Sequence, residues 1–249
     1  MFPLIAIIIV GLIIGSFINV LSYRLPKNLP VVLSRSFCPN CKTNIPLYRN
    51  IPILTYILQA GKCHNCKQII NLQYPIVELL TSIIFCLGFM QGWEISNYII
   101  FLFISSILIT VSIIDFKTFT IPLSLIVFLM ILDLIFIYLN LDSKKDMLLG
   151  FTVGIGYLGI PFIITSLIYK KQTLGYGDLL LIGLLGIWLG LINIFLCILI
   201  SCIIGLLIWA IQYLIGKPVN KLPFGTYLSL TAIALKIAGI NTYIENLLF

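Results

Sequence analysis

Residues 1–23 contain no charged side chain, and seven further apolar runs of about span length follow. A backbone buried in lipid must pair its own N–H and C=O groups, so such runs fold as helices or as strands of a closed barrel. A spanning helix needs roughly 20 apolar residues. These runs approach that length and do not alternate as barrel strands do. Composition agrees: 61% of residues are hydrophobic, 9% are charged and the mean hydropathy is +1.16, whereas an ordinary soluble domain carries roughly 25% charged residues. The expected fold class is all-α, a polytopic integral membrane protein of about eight transmembrane helices. They are expected over 2–22, 74–92, 97–114, 122–139, 148–169, 177–190, 191–215 and 224–243. The sixth and seventh form one apolar stretch, interrupted near Gly190 and Asn193. A single long span there would reverse the last helix. The first run lacks the basic leading segment and small-residue cleavage site of a secretory signal, so it is expected to stay as an anchor.

Three parts follow: a first transmembrane helix (1–23), a polar loop (24–73) and a transmembrane core (74–249). The loop carries Arg24, Lys27, Arg35, Lys42, Arg49, Lys62 and Lys67 and no acid. With eight spans, Lys117, Lys170, Lys171, Lys217 and Lys221 fall on the same side as these seven, whereas Lys144 and Lys145 on the other side are offset by Asp142 and Asp146. The basic side is expected to be cytoplasmic. The net charge of +7 is spread over several short loops, which fits anionic lipid headgroups and not nucleic acid.

Of seven cysteines, Cys86, Cys197 and Cys202 lie within apolar spans and read as small hydrophobes. The other four form Cys38-Pro-Asn-Cys41 and Cys63-His-Asn-Cys66, with 21 residues between the pairs. Each pair can offer two thiolates from one turn, and four thiolates complete a tetrahedron about Zn²⁺. Disulfides are disfavoured on the cytoplasmic side. The expected metal is a structural zinc held by Cys38, Cys41, Cys63 and Cys66, with His64 a bystander. A redox pair or disulfides are the alternative.

Two of the eight acids stand where an apolar run meets a short loop: Asp115 in VSIIDFKTFTIP and Asp178 in TLGYGDLLL. An ionisable group at a membrane boundary is a functional hypothesis by default. Gly175 and Gly177 of the G-x-G-D segment let another backbone come close. Two carboxylates sharing one proton can activate a water and protonate a leaving amine. The alternative is that Asp178 caps a helix and Asp115 pairs with Lys117 at headgroup level. Asp133 lies 18 residues from Asp115. Along a continuous helix that is roughly 27 Å, so Asp133 is left out of the site, as are Glu94, Asp142, Asp146 and Glu245.

Taken in order, several motifs resemble those of the bacterial type IV prepilin peptidases, membrane aspartic proteases with a G-x-G-D signature. They are Gly15-Ser16-Phe17-Ile18-Asn19-Val20, Tyr23-Arg24-Leu25-Pro26, the two cysteine pairs, Asn50-Ile51-Pro52, Gly61-Lys62-Cys63, Tyr74-Pro75-Ile76-Val77-Glu78-Leu79-Leu80-Thr81, Asp115, Ile121-Pro122, Gly175-Tyr176-Gly177-Asp178 and Pro223-Phe224-Gly225. The resemblance covers nearly the whole chain. It implies removal of the basic leader from prepilins or pseudopilins at the cytoplasmic face of the inner membrane. It assigns Asp115 and Asp178 as the catalytic pair and the four loop cysteines to zinc. It also implies methylation of the new N-terminal amine with S-adenosylmethionine, to which Glu78 and Asn19 are candidate contributors; their alternatives are a loop ion pair and an interhelical hydrogen bond. Two positions depart from the family pattern: Leu123 stands where an acid commonly follows Ile-Pro, and Leu180 where Lys commonly follows the second Asp. The rivals are a peptidase-only G-x-G-D enzyme, which generally lacks the four-cysteine loop, and a non-enzymatic membrane assembly factor. A transporter is disfavoured because no acids cluster at mid-bilayer.

Overall fold

The computed structural model describes residues 2–31, 35–169, 175–216 and 221–239. Lys170, Lys171, Lys217 and Glu245, named above, lie outside the described residues. The chain divides into two compact units, 1–93 and 94–249. Among the described residues there are nine α-helices, two isolated bridges and no strand.

In the first unit, α1 (Phe2–Arg24) and α3 (Gln73–Met90) pack along their length, with the short helix α2 (Leu54–Leu58) between them in sequence. Lipid supplies no hydrophobic drive for two apolar helices to associate, so van der Waals packing, tightened where small residues let the backbones approach, favours association instead. A Cβ on Gly11 would meet Ser82 Cα at 2.5 Å, and one on Gly15 would meet Glu78 Cα at 2.6 Å. Arg24 ends α1, and the sequence reading counts it with the surface cations. It is in fact buried, and its guanidinium donates to the carbonyls of Pro30 (3.1 Å), Val31 (3.4 Å) and Arg35 (2.9 Å). A rigid fork of donors suits that gathering of backbone acceptors.

The second unit holds α4 (Ile95–Thr118), α5 (Leu123–Leu139), α6 (Lys144–Tyr169), α7 (Tyr176–Leu189), α8 (Leu191–Leu214) and α9 (Phe224–Ala238). Helix α7 is central: it touches α5, α6, α8 and α9, and all its residues over 181–189 are buried. Gly150 of α6 and Gly186 of α7 meet backbone to backbone, because a Cβ on either would collide with the other's carbonyl.

Helices α1, α3, α4, α6 and α8 are long and apolar enough to cross a membrane, while α5, α7 and α9 are shorter apolar helices of 17, 14 and 15 residues. The eight expected spans are thus eight apolar helices, of which five have full spanning length. The chain is a multi-pass membrane protein. Asp133 does not lie on a continuous helix with Asp115. The chain turns between Thr118 and Leu123, with Phe119 at φ +53°. Asp133 is ten residues into α5, about 15 Å along that helix from its start.

The run 177–215 is two helices, broken at the junction of α7 and α8. Gly190 has φ +80° and ψ 178°, a region open essentially to glycine alone. Asp146, at the start of α6, accepts the N–H of Leu191 at 3.1 Å and so caps α8 from outside. A Cβ on Gly190 would strike that same carboxylate. Gly190→Ala is therefore expected to destabilise the protein by at least about 1–3 kcal/mol, read as a lowered unfolding midpoint in detergent, with Ala at Gly156, where an added Cβ meets nothing within 4 Å, as the control. An unchanged midpoint would remove this account of the break.

Candidate active site and metal centre

Asp115 lies in the last turn of α4 and is 4% exposed. Its Oδ2 accepts the backbone N–H of Thr226 at 2.8 Å. The Thr226 hydroxyl lies 3.2 Å from the same oxygen and 2.9 Å from the Ser112 carbonyl, and its single proton serves one of them at a time. Thr226 stands in the first turn of α9, whose N–H groups have no partners within the helix. Asp115 thus caps α9 from α4, where the positive end of the helix favours an acid.

Asp178 occupies the first turn of α7, after Gly175 at the N-cap. Its backbone N–H donates to the Gly175 carbonyl at 3.1 Å, and its Oδ1 is buried without a hydrogen-bond partner among the described residues. The two aspartates come together at Gly225. A Cβ placed there would lie 3.1 Å from Asp115 Oδ2 and 3.1 Å from Asp178 Oδ1. The two oxygens are therefore no further apart than twice that distance. Ile121 wedges the arrangement from the α4–α5 turn: a Cβ on Gly177 would lie 3.1 Å from its Cβ, and one on Gly225 2.9 Å from its Cδ1. Two buried carboxylates within this bound disfavour ionising together, and a water can bridge such a pair.

In the first unit the loop cysteines form two like turns. Lys42 N–H donates to Cys38 O (2.8 Å) and Lys67 N–H to Cys63 O (3.0 Å), with Lys42 and Lys67 at φ +56° and +60°. Each turn is closed by one bridge, Phe37 with Asn44 and Lys62 with Ile69. The four Sγ atoms lie within 4.8 Å of one another, and Cys38 and Cys66 are 3.9 Å apart. Tetrahedral zinc, with bonds of about 2.3 Å, wants its sulfurs about 3.8 Å apart. The donor set and spacing therefore suit zinc. Burial pushes the Cys38 thiol up to about 11. Hydrogen bonding from Thr43, chiefly its hydroxyl, draws Cys41 down to about 6, and the Cys66 N–H lowers Cys63.

Glu78 is buried, and its Oε2 accepts the Ile53 N–H at 2.7 Å, with the Ser16 side chain also bonded to it. Ile53 holds φ +58°, a rare conformation for a β-branched residue. Asn19 is engaged at both ends of its amide: Nδ2 donates to Gly15 O (3.2 Å) and Tyr74 O (3.1 Å), while Oδ1 accepts from Gln73 Nε2 (3.3 Å). That matches the interhelical alternative for Asn19.

Comparison with known proteins places this geometry. The model of the bacterial peptidase A24 N-terminal domain matches residues 9–92, and that of the type IV leader peptidase family matches 102–210. A prepilin leader peptidase/N-methyltransferase of Neisseria gonorrhoeae is 35% identical over 235 residues, covering 82% of this chain and 79% of the relative. The chain belongs to the type IV leader peptidase family. A type 4 prepilin-like proteins leader peptide-processing enzyme of Escherichia coli is 31% identical, with 90% of each chain covered. A prepilin leader peptidase/N-methyltransferase of Pseudomonas aeruginosa is 31% identical over 90% of this chain and 86% of its own. No solved structure gives a significant match.

Within this leader peptidase fold, Leu123 and Leu180, the two departures from the family pattern, are 67% and 45% exposed. Sequence reasoning names Pro223-Phe224-Gly225 but gives Gly225 and Thr226 no part in the site. The glycine just inside a helix start was the available signal; the hydroxyl beside it was unreadable without the fold. The purified protein is expected to carry one metal ion per chain, coordinated by four sulfurs, and Cys63→Ser is expected to lose it. Elemental analysis with X-ray absorption checks this, and full metal content in Cys63→Ser would exclude the cluster.

Proposed function

We propose that this protein removes the basic leader from type IV prepilins or pseudopilins and then methylates the amine that cleavage exposes. The carrying observation is that Asp115 Oδ2 and Asp178 Oδ1 both face the space at Gly225. Membership of the leader peptidase family supports the reaction, and the relatives' names supply both activities.

In this mechanism a water sits between the two carboxylates. One aspartate takes a proton as the water oxygen bonds to the scissile carbonyl carbon. The other gives a proton to the amide nitrogen as the C–N bond breaks. Thr226 holds Asp115 in place throughout, and Gly225 leaves the room that water and substrate need. The substrate's apolar helix lies in the bilayer of the cytoplasmic membrane, and its basic leader lies in the cytoplasm, on the side where most Lys and Arg of the loops fall. The zinc is structural: four thiolates leave no open position for chemistry.

For methylation, S-adenosylmethionine supplies the methyl group when bound. Glu78 is the sole acid in residues 1–93, so it is the carboxylate in that unit able to attract a cationic sulfonium or orient the amine. Asn19, by holding the Tyr74 carbonyl one turn before Glu78, keeps that carboxylate in register.

The test is the intact mass of a matched prepilin incubated with the purified full chain and S-adenosylmethionine. Wild type is expected to yield substrate lacking its leader and carrying one methyl. Asp115→Asn and Asp178→Asn are each expected to leave it uncut, with metal content intact; full cleavage by Asp178→Asn would sink the assignment. Thr226→Val, which removes a hydroxyl near a carboxylate, should lower kcat about tenfold. Glu78→Gln should still cleave but lose the methyl, and a fully methylated product would clear Glu78 of that role.

A further inference from the structure

Lys236 lies ten residues beyond Thr226 on α9. Its Nζ donates to the Trp188 carbonyl at 2.8 Å. It also lies 4.9 Å from the centre of the Phe136 ring and 5.4 Å from that of Trp188. Trp188 is in the last turn of α7, ten residues beyond Asp178. Carbonyls of a last turn lack partners within the helix and face its negative end, so an ammonium there satisfies both needs. On α5, one turn before Phe136, stands Asp133. It is 1% exposed, and neither of its oxygens has a hydrogen-bond partner among the described residues. The cation whose charge reaches Asp133 is Lys236; the acids facing Lys236 are Asp133 of α5 and Asp146 of α6.

The spacing carries the next step. Helices α5, α7 and α9 all start at the aspartate pair and run away from it. Asp133, Trp188 and Lys236 lie ten residues beyond Leu123, Asp178 and Thr226 respectively, so each is about 15 Å down its helix. Apolar helices in lipid have little to fix their sliding, and polar contacts set register. A slip of one residue, about 1.5 Å, would part Thr226 from Asp115 and Lys236 from Trp188 together.

We infer that Lys236, with Asp133 opposite it, is a positioning residue that sets the axial register of α9 against α7 and so holds Asp115 and Asp178 facing across Gly225. The inference rests on the reading of these aspartates as the reacting pair. Opposite buried charges are often no more stabilising than apolar residues of their size, so a role in folding alone and a role in positioning give different results.

The experiment compares leader cleavage by the purified, metal-loaded full chain in wild type, Lys236→Met, Lys236→Arg and the double variant Asp133→Leu/Lys236→Met. Lys236→Met is expected to lower kcat at least tenfold with KM within about twofold, and to displace the pH–rate profile, because coupling of two carboxylates depends on their separation. Lys236→Arg is expected to recover most of kcat and the wild-type profile. If Lys236→Met does not fold, the double variant decides, since it leaves no uncompensated buried charge, Asp146 being exposed and bonded to the Leu191 N–H: low kcat with a displaced profile supports positioning. Wild-type kcat and profile in folded Lys236→Met or in the folded double variant would overturn it, and so would failure of both of these to fold, which would make the cluster a folding determinant. A wild-type protein that leaves a matched prepilin uncut would instead overturn the peptidase reading beneath it.

Discussion

The space at Gly225 is the constraint on which the second unit turns. Asp115 and Asp178 arrive from different helices and are 63 positions apart in sequence, yet both face the position a Cβ would take. Helix α4 must end beside the start of α9, and α7 must start beside both. The close contact of Gly150 with Gly186 brings α6 onto α7, the Gly190 break turns the chain into α8, and Ile121 fills the remaining gap between Gly177 and Gly225. Larger residues at these glycines would change the separation of the two carboxylates.

The lengths of the helices follow from the same requirement. Helices α7 and α9 are too short to match a hydrocarbon core of about 30 Å, and both begin at the aspartates. Irregular backbone at membrane depth is tolerated where protein surrounds it. At the starts of α7 and α9 stand the polar side chains of Asp178 and Thr226, and Thr226 bonds Asp115 at the end of α4. Elsewhere the polar groups of the unit turn inward: Ser105, Thr110, Ser112, Asn193, Ser201 and Ser229 are buried, while large apolar residues such as Phe103, Phe128, Leu206 and Leu207 are exposed. That inversion suits lipid as the surrounding medium.

The spans, the four-cysteine turns and the pair of aspartates were legible in the sequence because each has a short-range signature: an uncharged run, a C-x-x-C spacing, an acid at the end of an apolar stretch. What depends on the packing of distant helices was not. Arg24 looks like any loop cation until three carbonyls close around it. Thr226 looks like one more hydroxyl in a membrane helix. Asp133 was set aside by a distance along one continuous helix, and the turn at 119–122 removes that premise. The G-x-G-D segment marked Asp178 and its glycines, yet the glycine that both carboxylates face is 47 residues further on.

The two ends of α7 carry opposite partial charges. Its N-terminus, together with that of α9, points at the two carboxylates, and each helix start carries roughly half a positive charge. These half-charges favour negative charge on the two aspartates. The opposite end of α7 carries the complementary half negative charge, and there the Lys236 ammonium bonds to the Trp188 carbonyl. One short central helix thus has an acid at its positive end and an ammonium at its negative end. Interchanging those two charges would set both against the helix. The electrostatics of α7 therefore favour the same placement of Asp178 that the packing at Gly225 demands.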